Sequence, residues 1–168
     1  TNYTVLDWYA NVTSLSEIMH NVTFNCSDAI NWSQTEYRYF TIDITNPLLT
    51  VSSPAQDVTY DYNTVGLNYT TSDTNTINCS YSLDEGAYVN LATCQNITIA
   101  ALGEGYHNIT LLVVDAATNQ NQSFLEFYVD TQSPVLTIVS PNSTNYTTNN
   151  IDFNVSSNEN VSSCWYNL

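Results

Sequence analysis

Hydrophobic and polar residues alternate in short runs along most of the chain. In the run His20–Cys26, Val22 and Phe24 fall on one face and the asparagines on the other, as in a half-buried strand. The same pattern predicts strands at Asn2–Tyr9, Asn11–Leu15, His20–Cys26, Glu36–Ile44, Leu48–Ser52, Val65–Thr71, Ile77–Leu83, Tyr88–Leu91, Ile97–Ala101, Tyr106–Val114 and Ser123–Asp130. No window has helical periodicity, and Asp84-Glu85-Gly86 is typical of a tight hairpin turn. We therefore predict an all-β fold, built as a two-sheet antiparallel sandwich of immunoglobulin-like type.

The alternating pattern repeats itself at an offset of 87 positions. Residue types recur without a gap in the pairs His20/His107, Asp28/Asp115, Phe40/Phe127, Pro47/Pro134 and Pro54/Pro141. A fixed period of this kind indicates a repeat architecture. We predict a first piece (residues 1–46) that is the C-terminal half of a repeat, a complete central domain (47–133), and a last piece (134–168) that is the N-terminal half of a repeat.

The last piece follows the central domain with two single-residue deletions and is expected to end in a strand that contains Cys164 and Leu168. By register Thr1 corresponds to Tyr88 and Leu168 to Leu83, so residue 168 of one unit and residue 1 of the next restore a whole sandwich, short only of the hairpin tip. Exposed sheet faces and strand edges invite such pairing. We expect either strand complementation between separate subunits or covalent continuity within a longer tandem array.

The charge balance excludes one large class of partners. The chain has one basic residue, Arg38, against sixteen acids, and its net charge is −15. Such a surface repels nucleic acid phosphates, so we predict no nucleic acid partner. No run of residues has the length and apolarity of a membrane span, and Thr1 does not begin a signal peptide. The chain is therefore interpreted as a mature, exported segment.

Asparagine, serine and threonine supply most of the polarity and form many Asn-X-Ser/Thr sequons. Chance explains some of them, but several lie where a strand turns its polar face outward, so we predict that many carry N-glycans. The candidate asparagines are Asn2, Asn11, Asn21, Asn25, Asn31, Asn68, Asn78, Asn96, Asn108, Asn121, Asn142, Asn145, Asn154 and Asn160. Sequons together with cysteines favour an oxidising extracellular or cell-surface location.

Four cysteines allow three disulfide pairings. Cys79 and Cys94 lie in one repeat on either side of a hairpin, and we predict a local bond between them. Cys26 stands at the position of Val113 and Cys164 at the position of Cys79, on strands that are neighbours in a sandwich. We hypothesise that Cys26 and Cys164 link adjacent subunits; the alternative is that both are buried free thiols.

The sequence holds little that could support catalysis, and we predict that the protein is not an enzyme. His20 and His107 occupy one repeat position, which favours a structural role, and the absence of lysine excludes Schiff-base chemistry. We predict no cofactor apart from glycans and no metal site. Calcium stays open because Asp43 and Asp130 lie at equivalent junctions, near Asp57, Asp61 and Asp84-Glu85, but without a ligand-spacing motif.

Three segments carry a family resemblance that covers nearly the whole chain. They are Cys79–Gly86 followed by Cys94, Leu102–Thr110 followed by Asp115-Ala116, and Cys164-Trp165-Tyr166. The chain resembles archaeal cell-surface immunoglobulin-like tandem repeat proteins. The resemblance implies surface stalks, adhesins or filaments and no catalytic residues. We expect a structural subunit of a surface filament whose partners are identical subunits; the alternative is a stalk or carbohydrate-binding module of a tandem-repeat adhesin.

Overall fold

The computed structural model describes residues 9–28, 30–75 and 77–168. Within these ranges the chain is all-β and contains no helix. The twelve strands are β1 Met19–Phe24, β2 Glu36–Thr41, β3 Leu48–Ser53, β4 Val58–Tyr60, β5 Val65–Ser72, β6 Ile77–Leu83, β7 Val89–Leu91, β8 Ile97–Ile99, β9 Gly105–Asp115, β10 Gln120–Val129, β11 Leu136–Ser140 and β12 Asn154–Ser157.

The central domain consists of two sheets in a sandwich-like arrangement. One sheet has the order β4-β10-β9-β6-β7 and the other the order β3-β5-β8. All pairs are antiparallel except that of β4 with β10, which is parallel. Alternation turns every second side chain of β5 and β9 inward, so the two sheets share one core.

The core lies in the central domain and nowhere else in the described part of the chain. Leu67 on β5 and Ile109, Leu111 and Val113 on β9 are 0% exposed, and Phe127 on β10 is 2% exposed. Burying a side chain of this size contributes roughly 1.5–3 kcal/mol. The Cys79–Cys94 disulfide is present and confirms the predicted local pairing. It ties β6 to the turn after β7.

The predicted hairpin turn is present between β6 and β7. The Gly86 amide donates to the Leu83 carbonyl at 2.9 Å, and Asp84 and Glu85 both have positive φ, as in a type I′ turn. A Cβ atom at Gly86 would meet the Leu83 oxygen at 2.9 Å, so this position requires glycine. The turn is further tied to β9 because the Asp84 amide donates to the Asn108 carbonyl at 2.9 Å.

Two short sheets flank the central domain. In the first piece β1 pairs with β2, and in the last piece β11 pairs with β12. Among the described strands neither pair is extended by a third strand or joined to the central sheets. The two flanking pieces therefore have strand pairing but no second layer.

Two predicted strands are wrong. Residues 11–15 and the end of the last piece around Cys164 contain no strand. Their equivalents in the central domain are β8, which pairs with β5, and β6, which pairs with β9. In the single chain those partners belong to the opposite flanking piece, and a strand without a partner leaves its backbone groups unpaired. The predicted strand at Asn2–Tyr9 lies almost wholly outside the described residues.

One strand of the central domain was not predicted. The three residues of β4, Val58–Tyr60, run parallel to the end of β10 and form the edge of the larger sheet. A segment of three residues is too short to show a period of two. The edge position agrees with its exposure pattern, because only Tyr60 is half-buried.

Candidate assembly interface

The strand pair of the first piece has the same register as its counterpart in the central domain. His20 lies opposite Phe40 on β1 and β2, as His107 lies opposite Phe127 on β9 and β10, 87 residues later. The ring stacking is also alike, with centroid separations of 5.5 Å for the first pair and 5.6 Å for the second. The offset of 87 residues therefore applies to the pairing geometry as well as to the residue types.

The inner face of this pair is open to solvent in the first piece. Phe40 is 39% exposed, whereas its equivalent Phe127 is 2% exposed. Phe24 is 55% exposed, whereas its equivalent Leu111 is fully buried. The difference arises because β5 and its neighbours cover the inner faces of β9 and β10, while no described strand covers β1 and β2.

The last piece repeats the smaller sheet in the same way. On β11 and β12 Ile138 pairs with Val155, as Val51 pairs with Tyr69 on β3 and β5, and both pairs are followed by a register shift at the same point. Phe153, which stands at the position of the buried Leu67, is 52% exposed, and its ring stacks on Tyr166 at a centroid separation of 5.3 Å. The inner face of this sheet is uncovered as well.

The accessible surface area of the chain is larger than that expected for a compact protein of its mass. The accessible surface is 13161 Å² for a chain of 18.8 kDa. A compact folded chain of this mass exposes about 8300 Å², so the excess is roughly 4900 Å². A stable protein–protein interface buries roughly 1200–2000 Å² in total. The chain as a whole therefore exposes more surface than an interface of this size needs.

The two remaining cysteines lie in the two flanking pieces, one in each. Cys26 and Cys164 are both exposed and unpaired in the single chain. Neither thiol is buried in the single chain, and the choice between a disulfide and buried free thiols concerns the contact between neighbouring units. Cys26 lies two residues beyond the end of β1, and Cys164 lies beside Trp165, which is 88% exposed.

His107 is held between a carboxylate and a backbone carbonyl. Its Nδ1 lies 2.8 Å from an Asp84 carboxylate oxygen and its Nε2 lies 3.0 Å from the Gly103 carbonyl. Burial of the ring opposes a positive charge, but hydrogen bonds to Gly103 and Asp84 outweigh it and raise the pKa of His107 above 6.5. His20 contacts the Ser16 carbonyl at 2.9 Å instead.

Three carboxylates meet where the first piece joins the central domain. Asp43, Asp73 and Asp115 each offer an oxygen within 4.8 Å of the others and could in principle hold a cation. Amide groups already donate to all three. The side chain of Asn75 donates to Asp43, the backbone amide of Asn75 to Asp73 at 2.8 Å, and the side chain of Asn119 to Asp115 at 2.8 Å.

Burial opposes the charge on Asp115, but hydrogen bonds from the side chain and backbone of Asn119 outweigh it, and the pKa of Asp115 is lowered. The sequence suggested Asp43, Asp130, Asp57, Asp61 and Asp84-Glu85 as possible calcium ligands. Of these, the cluster contains only Asp43. Sequence reasoning missed Asp73 and Asp115 because no local spacing connects them.

The sequon asparagines of the described residues are mostly on the surface. All of them are exposed except Asn108 and Asn121, which are half-buried; Asn2 lies outside the described ranges. At Asn121 the side-chain Nδ2, the atom to which a glycan would be attached, donates to the Pro47 carbonyl at 3.1 Å. At Asn96 the hydrogen bond is made by the side-chain oxygen instead: Oδ1 accepts from the Tyr69 amide at 2.9 Å.

No protein-family model matches the chain, and no curated protein is significantly similar to it. Within the described ranges there is no helix long and apolar enough to cross a membrane. Function must therefore be inferred from the faces of the flanking pieces.

Proposed function

We propose that the protein is a structural subunit of an extracellular, cell-surface filament, assembled head to tail by strand complementation. The observation that supports this proposal is the contrast between equivalent positions. Side chains that form the core of the central domain, such as Phe127 and Leu67, are replaced in the flanking pieces by Phe40 and Phe153, which are exposed apolar groups at the equivalent repeat positions. A face of this kind calls for a covering layer.

The two flanking pieces supply different layers of one sandwich. The pair β1–β2 corresponds to β9–β10 of the larger sheet, and the pair β11–β12 corresponds to β3–β5 of the smaller sheet. The occupant of each face is therefore the opposite piece of a second copy. Placed together as in the central domain, they form a composite immunoglobulin-like domain, with residues 162–168 beside β1 as β6 lies beside β9.

The contact is heterologous, because the first piece of one unit meets the last piece of the next. Such contacts leave one free face at each end and generate open filaments unless the rotation closes a ring. The same composite domain forms if neighbouring units are separate chains or successive parts of one longer polypeptide.

The outer faces of the composite domain suit an extracellular location. Asn21 and Asn154 are exposed on strands β1 and β12, and their neighbours Val22 and Val155 point to the opposite faces. N-glycans on the outer faces leave the inner faces free to pack. Together with the acidic surface they keep the filament soluble.

Electron microscopy and sedimentation of the purified chain in reductant test the proposal. We expect fibres or large assemblies that grow with concentration. Phe40→Ala and Phe153→Ala each remove a ring from the proposed interface at a cost of about 3 kcal/mol, which corresponds to an affinity roughly 100-fold weaker. The matched control is Phe124→Ala, because Phe124 is similarly exposed, at 53%, but lies on the central domain.

Monodisperse single chains at high concentration would contradict the proposal. So would assemblies that Phe124→Ala weakens as much as Phe40→Ala does, since the contact would then involve the central domain. In either case the exposed faces have another role.

A second candidate is a stalk or carbohydrate-binding module of an adhesin. The exposed indoles of Trp32 and Trp165, at 73% and 88%, favour it, because aromatic faces stack on sugars. Binding of neutral oligosaccharides by single chains, lost in Trp32→Ala or Trp165→Ala while sedimentation is unchanged, would support this function over the filament.

A further inference from the structure

Cys26 and Cys164 correspond to two positions that face each other across strands in the central domain. Cys164 stands at the position of Cys79 on β6, and Cys26 stands at the position of Val113 on β9. In the central domain Cys79 and Val113 are direct partners in the antiparallel pair of β6 with β9. They are 1% and 0% exposed.

Direct cross-strand partners are close enough for a disulfide. Their Cβ atoms lie about 4.5–5.5 Å apart in an antiparallel pair, and a disulfide requires about 3.5–4.5 Å. The small remaining difference is within the adjustment that strand twist allows. In the single chain the two cysteines belong to different two-stranded sheets that do not pair with each other.

The cysteine pattern differs between the repeats in a compensating way. In the central domain Cys79 bonds to Cys94, and Val113 is apolar. At the offset of 87 residues the position of Cys94 is occupied by Asp7, so Cys164 has no local partner of the same kind. The position of Val113 is occupied by Cys26 instead. Each sandwich thus receives one pair of cysteines, but the partner of the β6-type cysteine lies in the turn after β7 in one case and at a β9-type position in the other.

We propose that Cys26 of one unit forms a disulfide with Cys164 of the next, which locks the composite domain covalently. This inference rests on the proposed filament, and it adds the covalent bond and its location. A protein thiolate attacks a small-molecule disulfide, such as oxidised glutathione, and releases one small thiol. The second protein thiolate then displaces the other small thiol from the mixed disulfide. Two protein thiols are oxidised and one small disulfide is reduced to two thiols.

The test compares wild type, Cys26→Ser, Cys164→Ser and an equimolar mixture of the two variants. Each sample is incubated with glutathione redox buffer, alkylated and run on a non-reducing gel. We expect a ladder of multiples of 18.8 kDa for wild type, collapsing in reductant. Each variant alone should stay monomeric. The mixture should give a dimer and no higher band, because one chain offers only Cys164 and the other only Cys26.

Several outcomes would overturn the disulfide. A dimer in either variant alone would show that like cysteines pair through exposed thiols. A wild-type chain in which peptide mapping finds Cys26 joined to Cys164 without a ladder would place the bond within one chain. The corresponding alanine variants, with the Cys79–Cys94 bond verified by mass, separate these outcomes from misfolding.

Sedimentation in reductant distinguishes failure of the disulfide from failure of the filament. Large assemblies without a ladder in oxidising buffer would overturn the disulfide and leave the filament intact. Single chains under both conditions would overturn the disulfide and the filament together.

Discussion

The central domain and the first piece contain the same strand pair in different surroundings. β9–β10 and β1–β2 share register and ring stacking, yet Phe127 is 2% exposed and Phe40 is 39% exposed. Local sequence therefore suffices to specify the pairing of two strands, whereas burial depends on a second sheet. The first piece has the information for one layer of a sandwich, and in the proposed filament a neighbouring unit supplies the opposite layer.

The comparison holds for the smaller sheet as well. β3–β5 and β11–β12 agree in register down to the position of the irregularity, but Leu67 is fully buried and Phe153 is 52% exposed. An isolated two-stranded hairpin is marginally stable in water, and a third strand or a covering layer is needed. We therefore expect the flanking pieces to gain most of their stability on assembly, while the central domain is stable in the single chain.

Matched phenylalanine substitutions should separate the two regions most strongly. In dilute, reduced single chains, Phe127→Ala should lower the free energy of unfolding by about 3–5 kcal/mol because it leaves a core cavity. Phe40→Ala at the equivalent position should change it by less than about 0.5 kcal/mol, as is usual for surface substitutions. Urea denaturation followed by tryptophan and tyrosine fluorescence measures both. Equal losses would show that Phe40 already packs in a core of the single chain.

Substitution of the two cysteine pairs should also separate the central domain from the flanking pieces, with a slightly smaller difference in unfolding free energy. Cys79 and Cys94 are 15 residues apart, and a disulfide that closes a loop of that length stabilises the folded state by about 3 kcal/mol. The double variant Cys79→Ser/Cys94→Ser should lose about this amount in thermal unfolding of single chains. Cys26→Ser/Cys164→Ser is the matched control and should lose nothing, because those cysteines are unpaired there.

Stability of the central domain should depend on pH through His107. Its folded-state pKa is raised above 6.5, so its contribution is fully present below pH 6.5 and is lost as pH rises through the folded pKa. The loss should be about 1 kcal/mol or less, because the Asp84 side chain is 44% exposed. The difference in unfolding free energy between wild type and His107→Gln, measured from pH 6 to 9, should narrow as pH rises. A difference that widens would contradict this interpretation.

The smallest expected effect is a difference in glycan occupancy between individual sequons. Asn121 should carry little or no glycan, because its Nδ2 donates to the Pro47 carbonyl at 3.1 Å. Asn68 is exposed on β5 and should be occupied. Glycopeptide mass spectrometry of material from the native host measures both sites. Full occupancy at Asn121 would show that the contact between β10 and Pro47 forms differently in the mature protein.

Sequence alone predicted what depends on neighbouring residues in the chain. The alternation in Val65–Thr71 predicted a strand, which is present as β5, and the position of Cys79 and Cys94 on either side of a hairpin predicted their bond. Contacts with distant segments could not be predicted in this way.

Residues 11–15 alternate but form no strand, because a strand also needs a partner. At the junction, the meeting of Asp73 and Asp115 with Asp43 depends on how the first piece joins the central domain. No sequence spacing encodes that arrangement.

Hydrogen–deuterium exchange of the assembled protein tests most directly whether a neighbouring unit covers the flanking pieces. In the central domain the amides of residues 109–115 pair with β6, and their equivalents are residues 22–28. We predict that amides 22–28 and 162–168 become protected on assembly to the level of 109–115 and 77–83, and lose that protection in Phe153→Ala. Exchange of 22–28 in the assembly at the rate of the single chain, with the central domain still protected, would contradict the account.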